Sequence, residues 1–334
     1  MTNHTRTGSG VVVAACLALV PSTLAQSGSP IDNTPLASAD TREAELGPNV
    51  GSQPKSPKTP AVASGLAPGE PAVPAAPEAS PFHLTLAVDW TNAYFFRGFR
   101  QEASGLIIQP YADGVLDLGT FDDATLSLAL GTWHSFHSEA TGAAGEDGFG
   151  KYWYEADYYA GADLSVGPWA CGARYYFYTS PSNVFGTIEE LVFTVAFDDS
   201  EFLGEWSLQP SAVLGIETGS NATDGGRNGV YLQLGVAPGF SFDAGAAKGI
   251  EASFPVSVGL SLSNYYEGAN GENDAFGFAS VGAQASLPLN PDTTGGVWTL
   301  RAGVQCLFLG DATRSFNNDD RFEVIGTVGV SLAF

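Results

Sequence analysis

The sequence predicts an all-β protein, a transmembrane antiparallel up-and-down β-barrel of about 12 strands over residues 81–334. Three observations point to it. After Pro81, apolar and small or polar residues alternate with period two in segment after segment, as in a strand with one lipid face and one wet face. Short and long connections alternate along the chain. The last strand is apolar on one face and ends on an aromatic carboxy-terminal residue, Phe334.

Residues 1–25 read as a signal peptide. Arg6 precedes the apolar run Val11 to Val20, and Thr23-Leu24-Ala25 supplies small residues before the cut, the composition an export signal needs. A run of about ten residues is half the roughly 20 that a spanning helix needs, so it exports the chain and does not anchor it. Val13-Ala14-Ala15-Cys16 is a competing lipoprotein-type box that would acylate Cys16. Most of the apolar run would then lie after the cut, which favours cleavage after Ala25. Residues 26–80 are dominated by Pro, Ala, Ser and Gly, as in Pro71-Ala72-Val73-Pro74-Ala75-Ala76-Pro77. With no apolar periodicity they cannot offset chain entropy, and a disordered Pro/Ala-rich tether is expected.

The strands follow in order. In the first, Leu84, Leu86, Val88 and Trp90 share one face while Thr85, Ala87, Asp89 and Thr91 share the other. Weaker segments lie near 106–118 and 124–133. A clear one places Tyr154, Ala156, Tyr158 and Ala160 opposite Trp153, Glu155, Asp157 and Asp163. Strands are then expected near 169–179, 187–198, 206–217, 230–242, 250–263, 276–289, 297–309 and 321–334. In the segment at 250–263, Ile250, Ala252, Phe254, Val256, Val258 and Leu260 oppose Glu251, Ser253 and Ser257. The non-apolar faces carry Ser, Thr, Gly and Ala with scattered carboxylates, which suits a wet lumen better than the Lys/Glu/Arg coat of a soluble barrel. Short connections at Gly119 to Asp123 and Gly167-Pro168 contrast with long ones at His134 to Lys151, Thr218 to Gly229, Asn264 to Ala275 and Gly310 to Asp320.

Composition excludes several functions. A formal net charge of -23, with 36 acidic against 13 basic residues, argues against nucleic-acid binding, which needs a cationic face. After signal removal only Cys171 and Cys306 remain, too few for a disulfide framework or a thiolate metal centre; no metal and no cofactor are expected. The stretch Trp133-His134-Ser135-Phe136-His137-Ser138-Glu139 groups a base, a hydroxyl and a carboxylate. It lacks a nucleophile motif, and a polar strand end is the favoured reading over a catalytic one. Asn317-Asn318-Asp319-Asp320 and Gly268 to Asp274 lack calcium-loop spacing and read as solvated turns.

The segment Asn92-Ala93-Tyr94-Phe95-Phe96-Arg97-Gly98-Phe99-Arg100-Gln101, followed by Gln109-Pro110, resembles the opening of a family of Gram-negative outer-membrane barrel proteins whose first strand reads S-x-Y-x-F-R-G-x-S-Q. Tyr94, Phe96, Arg97, Gly98 and Gln101 match; Ala93, Arg100 and the long Pro-rich tether depart from the pattern. The likeness covers about twenty residues of this chain and implies the barrel. The family carries no assigned activity, so it implies no function. Read from the residues, Tyr94 and Phe95 suit an interface girdle, Arg97 points into the lumen or its mouth, and Gly98 lets the chain turn.

Alternation assigns the lumen. Asp89, Glu155, Asp157, Asp163, Glu190, Glu217, Glu251 and Glu323 are expected to line it, together with Asp113 and Asp117. Arg97, Arg174 and Arg301 are the basic counterparts, with Arg321. Phe334 is expected to mark the C-terminal strand for the barrel-assembly machinery. The leading functional expectation is a porin-like channel in the Gram-negative outer membrane, with both termini periplasmic, for small neutral or cationic solutes. The alternative is a non-transporting structural or adhesive barrel with a filled lumen, and a barrel lipid hydrolase is third. Expected partners are outer-membrane lipids, lipopolysaccharide, the assembly machinery and, through the tether, the cell wall.

Overall fold

The computed structural model describes residues 80–334 except 122–123, 140, 142–151, 246, 269–270 and 290–294. The expected signal peptide, and all of the expected tether but its last residue, lie outside the described residues. Strands β1 (Phe82–Thr91), β2 (Tyr94–Phe96), β3 (Phe99–Glu102), β4 (Ile107–Phe121), β5 (Ala124–His137) and β6 (Trp153–Val166) open the fold. They are followed by β7 (Trp169–Thr179), β8 (Ile188–Phe197), β9 (Ser211–Glu217), β10 (Val230–Val236), β11 (Gly239–Ala244) and β12 (Ala247–Ser253). Strands β13 (Val256–Ser263), β14 (Phe276–Pro288), β15 (Val297–Leu309) and β16 (Phe322–Ala333) complete it.

All but β2 and β3 form one antiparallel sheet that closes on itself, because β1 pairs with β16 as well as with β4. Thr85 faces Ala333 and Thr91 faces Thr327 across that seam, and the Phe334 amide donates to Leu84 O at 2.9 Å. Two proline breaks set the strand count. The chain kinks at Ala237-Pro238 and at Phe254-Pro255, so β10 with β11, and β12 with β13, are each one wall strand interrupted where a proline has no N–H to give the ladder. The result is a closed 12-stranded antiparallel barrel. Pro110 interrupts β4 in the same way, leaving Gln109 and Pro110 unpaired with β5 between Ile108 and Tyr111.

The faces follow chain parity. Leu86, Trp90, Leu128, Leu130, Phe177, Phe193, Leu300, Val304 and Val328 are exposed outward. Carboxylates and hydroxyls on the same strands turn in, with Asp89, Glu155, Asp157 and Glu190 buried. Exposed rings gather at the two rims of the outer surface. Phe82, Phe121, Trp169 and Trp298 mark the rim that carries both chain ends, and Trp90, Phe276, Phe308 and Phe322 the opposite one. An apolar band between two aromatic girdles is the exterior of a membrane-spanning barrel.

Two strand expectations need correction. Residues 206–210 do not belong to β9. The Asp199 carboxylate captures the Ser207 hydroxyl and the Leu208 and Gln209 amides, and Gln209 takes a φ of 50°, so the chain swings off the wall there. In β6 a register shift opposite Ser135 and Phe136 turns Tyr154 inward beside Glu155 and leaves Trp153 facing out, the reverse of strict alternation.

The seam between β1 and β16 lies wholly within the described residues. A chain starting at Ser80 is therefore expected to fold into detergent or vesicles as the full chain does. The check is a heat-dependent shift in gel migration with β-type circular dichroism; a chain that stays unfolded would show that residues before Ser80 are part of the barrel.

Candidate functional site

The candidate site begins where β1 ends. Asn92 is clamped to β16: its side-chain oxygen accepts the Gly326 amide at 2.6 Å and its amide nitrogen donates to Val324 O at 3.3 Å. From there the chain does not rise into a free loop but folds back inside the barrel as the β2–β3 hairpin. No side chain from Ala93 to Glu102 is more than 5% exposed. Phe96 pairs with Phe99 across a two-residue turn in which Arg97 (φ 45°) and Gly98 (φ 89°) both take the left-handed conformation, as a type I′ hairpin turn requires. Only glycine fits the second position. A Cβ there would lie 2.9 Å from Thr313 Cγ2 on the short helix α1 (Asp311–Ser315) and 3.2 Å from Phe278 of β14.

Arg97 is the centre of the constellation. Its guanidinium makes a two-pronged ion pair with Glu190 of β8 at 2.6 and 2.9 Å and donates to the Tyr265 hydroxyl at 2.8 Å. The rings of Phe96, Tyr231 and Tyr265 surround it, with Tyr231 closest at 4.1 Å from ring centre to guanidinium carbon. Tyr178 donates to the second Glu190 oxygen, and Tyr266 donates to the Arg97 carbonyl at 2.7 Å. Burial pushes the Tyr265 phenol well above its ordinary range against the opposing pull of Arg97, so it remains a neutral acceptor. A guanidinium and a carboxylate this far from water hold together only because each is paired and hydrogen-bonded on several sides.

The rest of the hairpin is tied as thoroughly. Tyr94 donates to Glu155 of β6 at 2.9 Å, Tyr154 donates to the Gln101 side-chain oxygen, and Arg100 reaches Asn317 at 2.7 Å. Asn317 in turn donates to Glu323 at 3.2 Å. Glu102 accepts the Thr141 hydroxyl at 2.6 Å, and Thr141, His137 and Ser135 form a chain of contacts at 2.5 and 2.8 Å. Ser135 and His137 thus stand in the nucleophile–base geometry of an acyl-transfer site, but both are sealed from solvent, at 0 and 1% exposure. His134 points outward among Phe136, Trp153 and Tyr158.

Below the hairpin, toward the rim bearing the chain ends, the interior is polar. Asp89 pairs with Arg301 at 2.8 Å, and Arg301 also reaches the Tyr111 hydroxyl. Asp163 pairs with Arg174 at 2.7 Å, Asp113 accepts Tyr159 at 2.8 Å, and His83 meets Asp117 at 3.2 Å. Glu251 is exposed near the rim and accepts Ser286 at 3.2 Å. Among the described residues, no group of three or more His, Cys, Asp or Glu is arranged to hold a metal.

Alternation placed most of these side chains on their faces but did not bring them together. Glu217 lies at the loop end, accepting the Thr223 and Gly229 amides at 2.6 Å each. Arg321 is outside the lumen, exposed and paired with Asp311 at 2.5 Å, because it precedes β16. Tyr94 and Phe95 are not girdle residues: both are 1% exposed inside the barrel. The sequence did hold a signal for the hairpin. It is the Arg97-Gly98 pair, since a glycine there supplies the left-handed residue a two-residue turn needs. The aromatic run Tyr94-Phe95-Phe96 is no signal by itself, because Tyr175-Tyr176-Phe177-Tyr178 lies in the wall strand β7.

No family model matches the chain, and no curated protein matches it. Solved structures do. The β domain of the Bordetella autotransporter BrkA is 11% identical, with 75% of this chain and 98% of that one covered at a TM-score of 0.35. A porin is 11% identical over 76% of this chain and 99% of its own, with a TM-score of 0.28. Salmonella typhi OmpF, in complex with daunomycin, is 10% identical over 76% and 97%, with a TM-score of 0.32.

Proposed function

We propose that this chain is an outer-membrane β-barrel held closed by its own first loop, and that its acidic lumen admits small cationic or neutral solutes only when that hairpin leaves. One observation carries the reading. The ten residues from Ala93 to Glu102 are buried inside the barrel and bonded to β6, β8, the 264–275 loop and the 310–321 loop. An open porin needs a continuous water path, and this interior gives that path to aromatic rings and paired charges. The geometry thus favours the filled-lumen expectation over a permanently open pore.

The apolar exterior with its two aromatic girdles supports the outer-membrane setting. Both described ends lie at one rim, which in this reading is periplasmic; the six long connections, the hairpin among them, then face outward. Lipid and lipopolysaccharide contact the wall, β16 with Phe334 engages the assembly machinery, and residues 26–80 reach toward the cell wall. The protein is not an enzyme in this reading, since Ser135 and His137 are sealed from solvent.

Planar-bilayer recording of the refolded barrel tests the proposal. The native protein is expected to stay silent. Thr91 faces Ile107 directly, so a two-residue Asn-Gly turn can join β1 to β4 in place of residues 92–106. That variant should fold and conduct. Steady conductance from the native protein, or silence from a folded variant, would overturn the proposal.

A further inference from the structure

Between β8 and β9 the chain leaves the barrel wall at the rim that bears the chain ends. Residues Ser200–Leu203 form a helical turn, Gly204–Trp206 a 3-10 turn, and the Leu208 carbonyl accepts the Ala237 amide at 2.8 Å before the chain re-enters the wall at Ser211. Phe202 is 72% and Trp206 84% exposed, and Leu203 and Leu208 are exposed beside them. Glu201 and Glu205 lie between these apolar residues along the segment and are exposed with them. The segment is not loose. Asp199 accepts the Ser207 hydroxyl and the Leu208 and Gln209 amides, and Asp198 accepts the Ser200 amide and the Gln209 side chain, each of the last two at 3.0 Å.

We infer that residues 200–208 are an interfacial anchor that inserts Phe202, Leu203 and Trp206 into the lipid leaflet at this rim. Continuity with the lipid-facing wall identifies the occupant. Trp169 and Phe197 face outward on β7 and β8 with ring centres 4.6 Å apart, and Phe202 stacks on Phe197 at 6.0 Å, so one aromatic row runs from the wall onto the segment. A second feature sets its height. β9 starts at Ser211, opposite Gly235, and β11 runs on to Ala244 with no strand paired along its other side among the described residues. By ladder alternation, the N–H and C=O groups of Gly239 and Ser241 point to that open side. Open sheet edges do not occur in hydrocarbon, so the bilayer core ends near the level where Leu208 meets Ala237. The exposed rings therefore lie at the lipid–water boundary, where Trp and Phe are favoured. Residues 198–210 include four carboxylates and no Lys or Arg, which suits zwitterionic lipid over anionic.

The test uses Trp206 as its own probe. The full-length barrel and its Trp206→Phe variant are refolded into phosphatidylcholine vesicles with and without brominated acyl chains, and their difference gives the Trp206 signal. Emission shifted to the blue, quenched about twofold or more by bromines near the headgroup and little by aqueous acrylamide, is expected. A Trp206 signal quenched by acrylamide and not by bromolipid, or by neither, would overturn the anchor. The anchor presupposes a membrane-embedded barrel, and Trp90, Trp169 and Trp298 report on that separately. If bromolipid quenches them in the Trp206→Phe variant, the wall is in lipid whatever Trp206 does.

Discussion

Arg97→Ala is expected to lower barrel stability by about 3–5 kcal/mol, the usual cost of leaving one partner of a buried ion pair uncompensated, and to give a silent barrel measurable conductance. Glu190 would keep the Tyr178 hydroxyl but lose both guanidinium bonds. Phe96, Tyr231 and Tyr265 would close on a void where the guanidinium now lies. The partner change separates charge from shape. In Arg97→Ala with Glu190→Ala no charge is stranded, so much of the stability should return, while the tie at the hairpin's turn stays broken and the conductance persists. Arg97→Lys keeps the charge but not the two-pronged geometry and should fall between native and Arg97→Ala. Urea unfolding in vesicles, followed by tryptophan emission, measures the first effect, and single-channel recording the second. An unchanged unfolding midpoint in Arg97→Ala would remove the pair from its place as the lock.

Once residues 92–106 are replaced by a short turn, the opened barrel should prefer cations. Glu155 and Asp157 are 0% exposed behind the hairpin in the native chain, and with Tyr94 gone they would face water in the loop half of the lumen. Asp113, Asp117 and Glu251 face the other half, where Asp89 and Asp163 are neutralised by Arg301 and Arg174. A lumen bounded by low-dielectric wall focuses such an excess. The reversal potential in a salt gradient should therefore carry the sign of cation preference. It should shrink toward 1 M salt, where the screening length is about 3 Å. Glu155→Gln with Asp157→Asn in the opened barrel should reduce the preference clearly, whereas the same pair of changes in the native chain should leave it silent. Anion preference in the opened barrel would refute the acidic-lumen assignment.

The barrel was legible from residue order because a strand's two faces depend only on parity. Leu84, Leu86 and Val88 announce a lipid face without reference to any other segment, and β13 through Val256, Val258 and Leu260 does the same. Parity failed where local chemistry overrode it. Asp199 pulled residues 207–209 off the wall, and the register shift opposite Ser135 turned Tyr154 inward. The segment Tyr94 to Gln101, read along the chain as part of a first wall strand, instead folds inside the barrel as β2 and β3.

Sequence alone therefore determined the architecture of this protein: a closed antiparallel barrel, apolar outside, acidic within, ending on an aromatic strand. Each of those properties is a sum of local choices about which side of the chain is apolar. That the first loop folds back inside the barrel was decided only by tertiary structure. Arg97 meets Glu190, Tyr265 and the reach of Tyr266 across separations of 93, 168 and 169 residues, and nothing in the spacing of those residues along the chain brings them together. The closed barrel does that, by turning β8, β10 and the chain after β13 toward the one interior into which the hairpin folds. There a hairpin that would be exposed on a flat sheet is buried on every side.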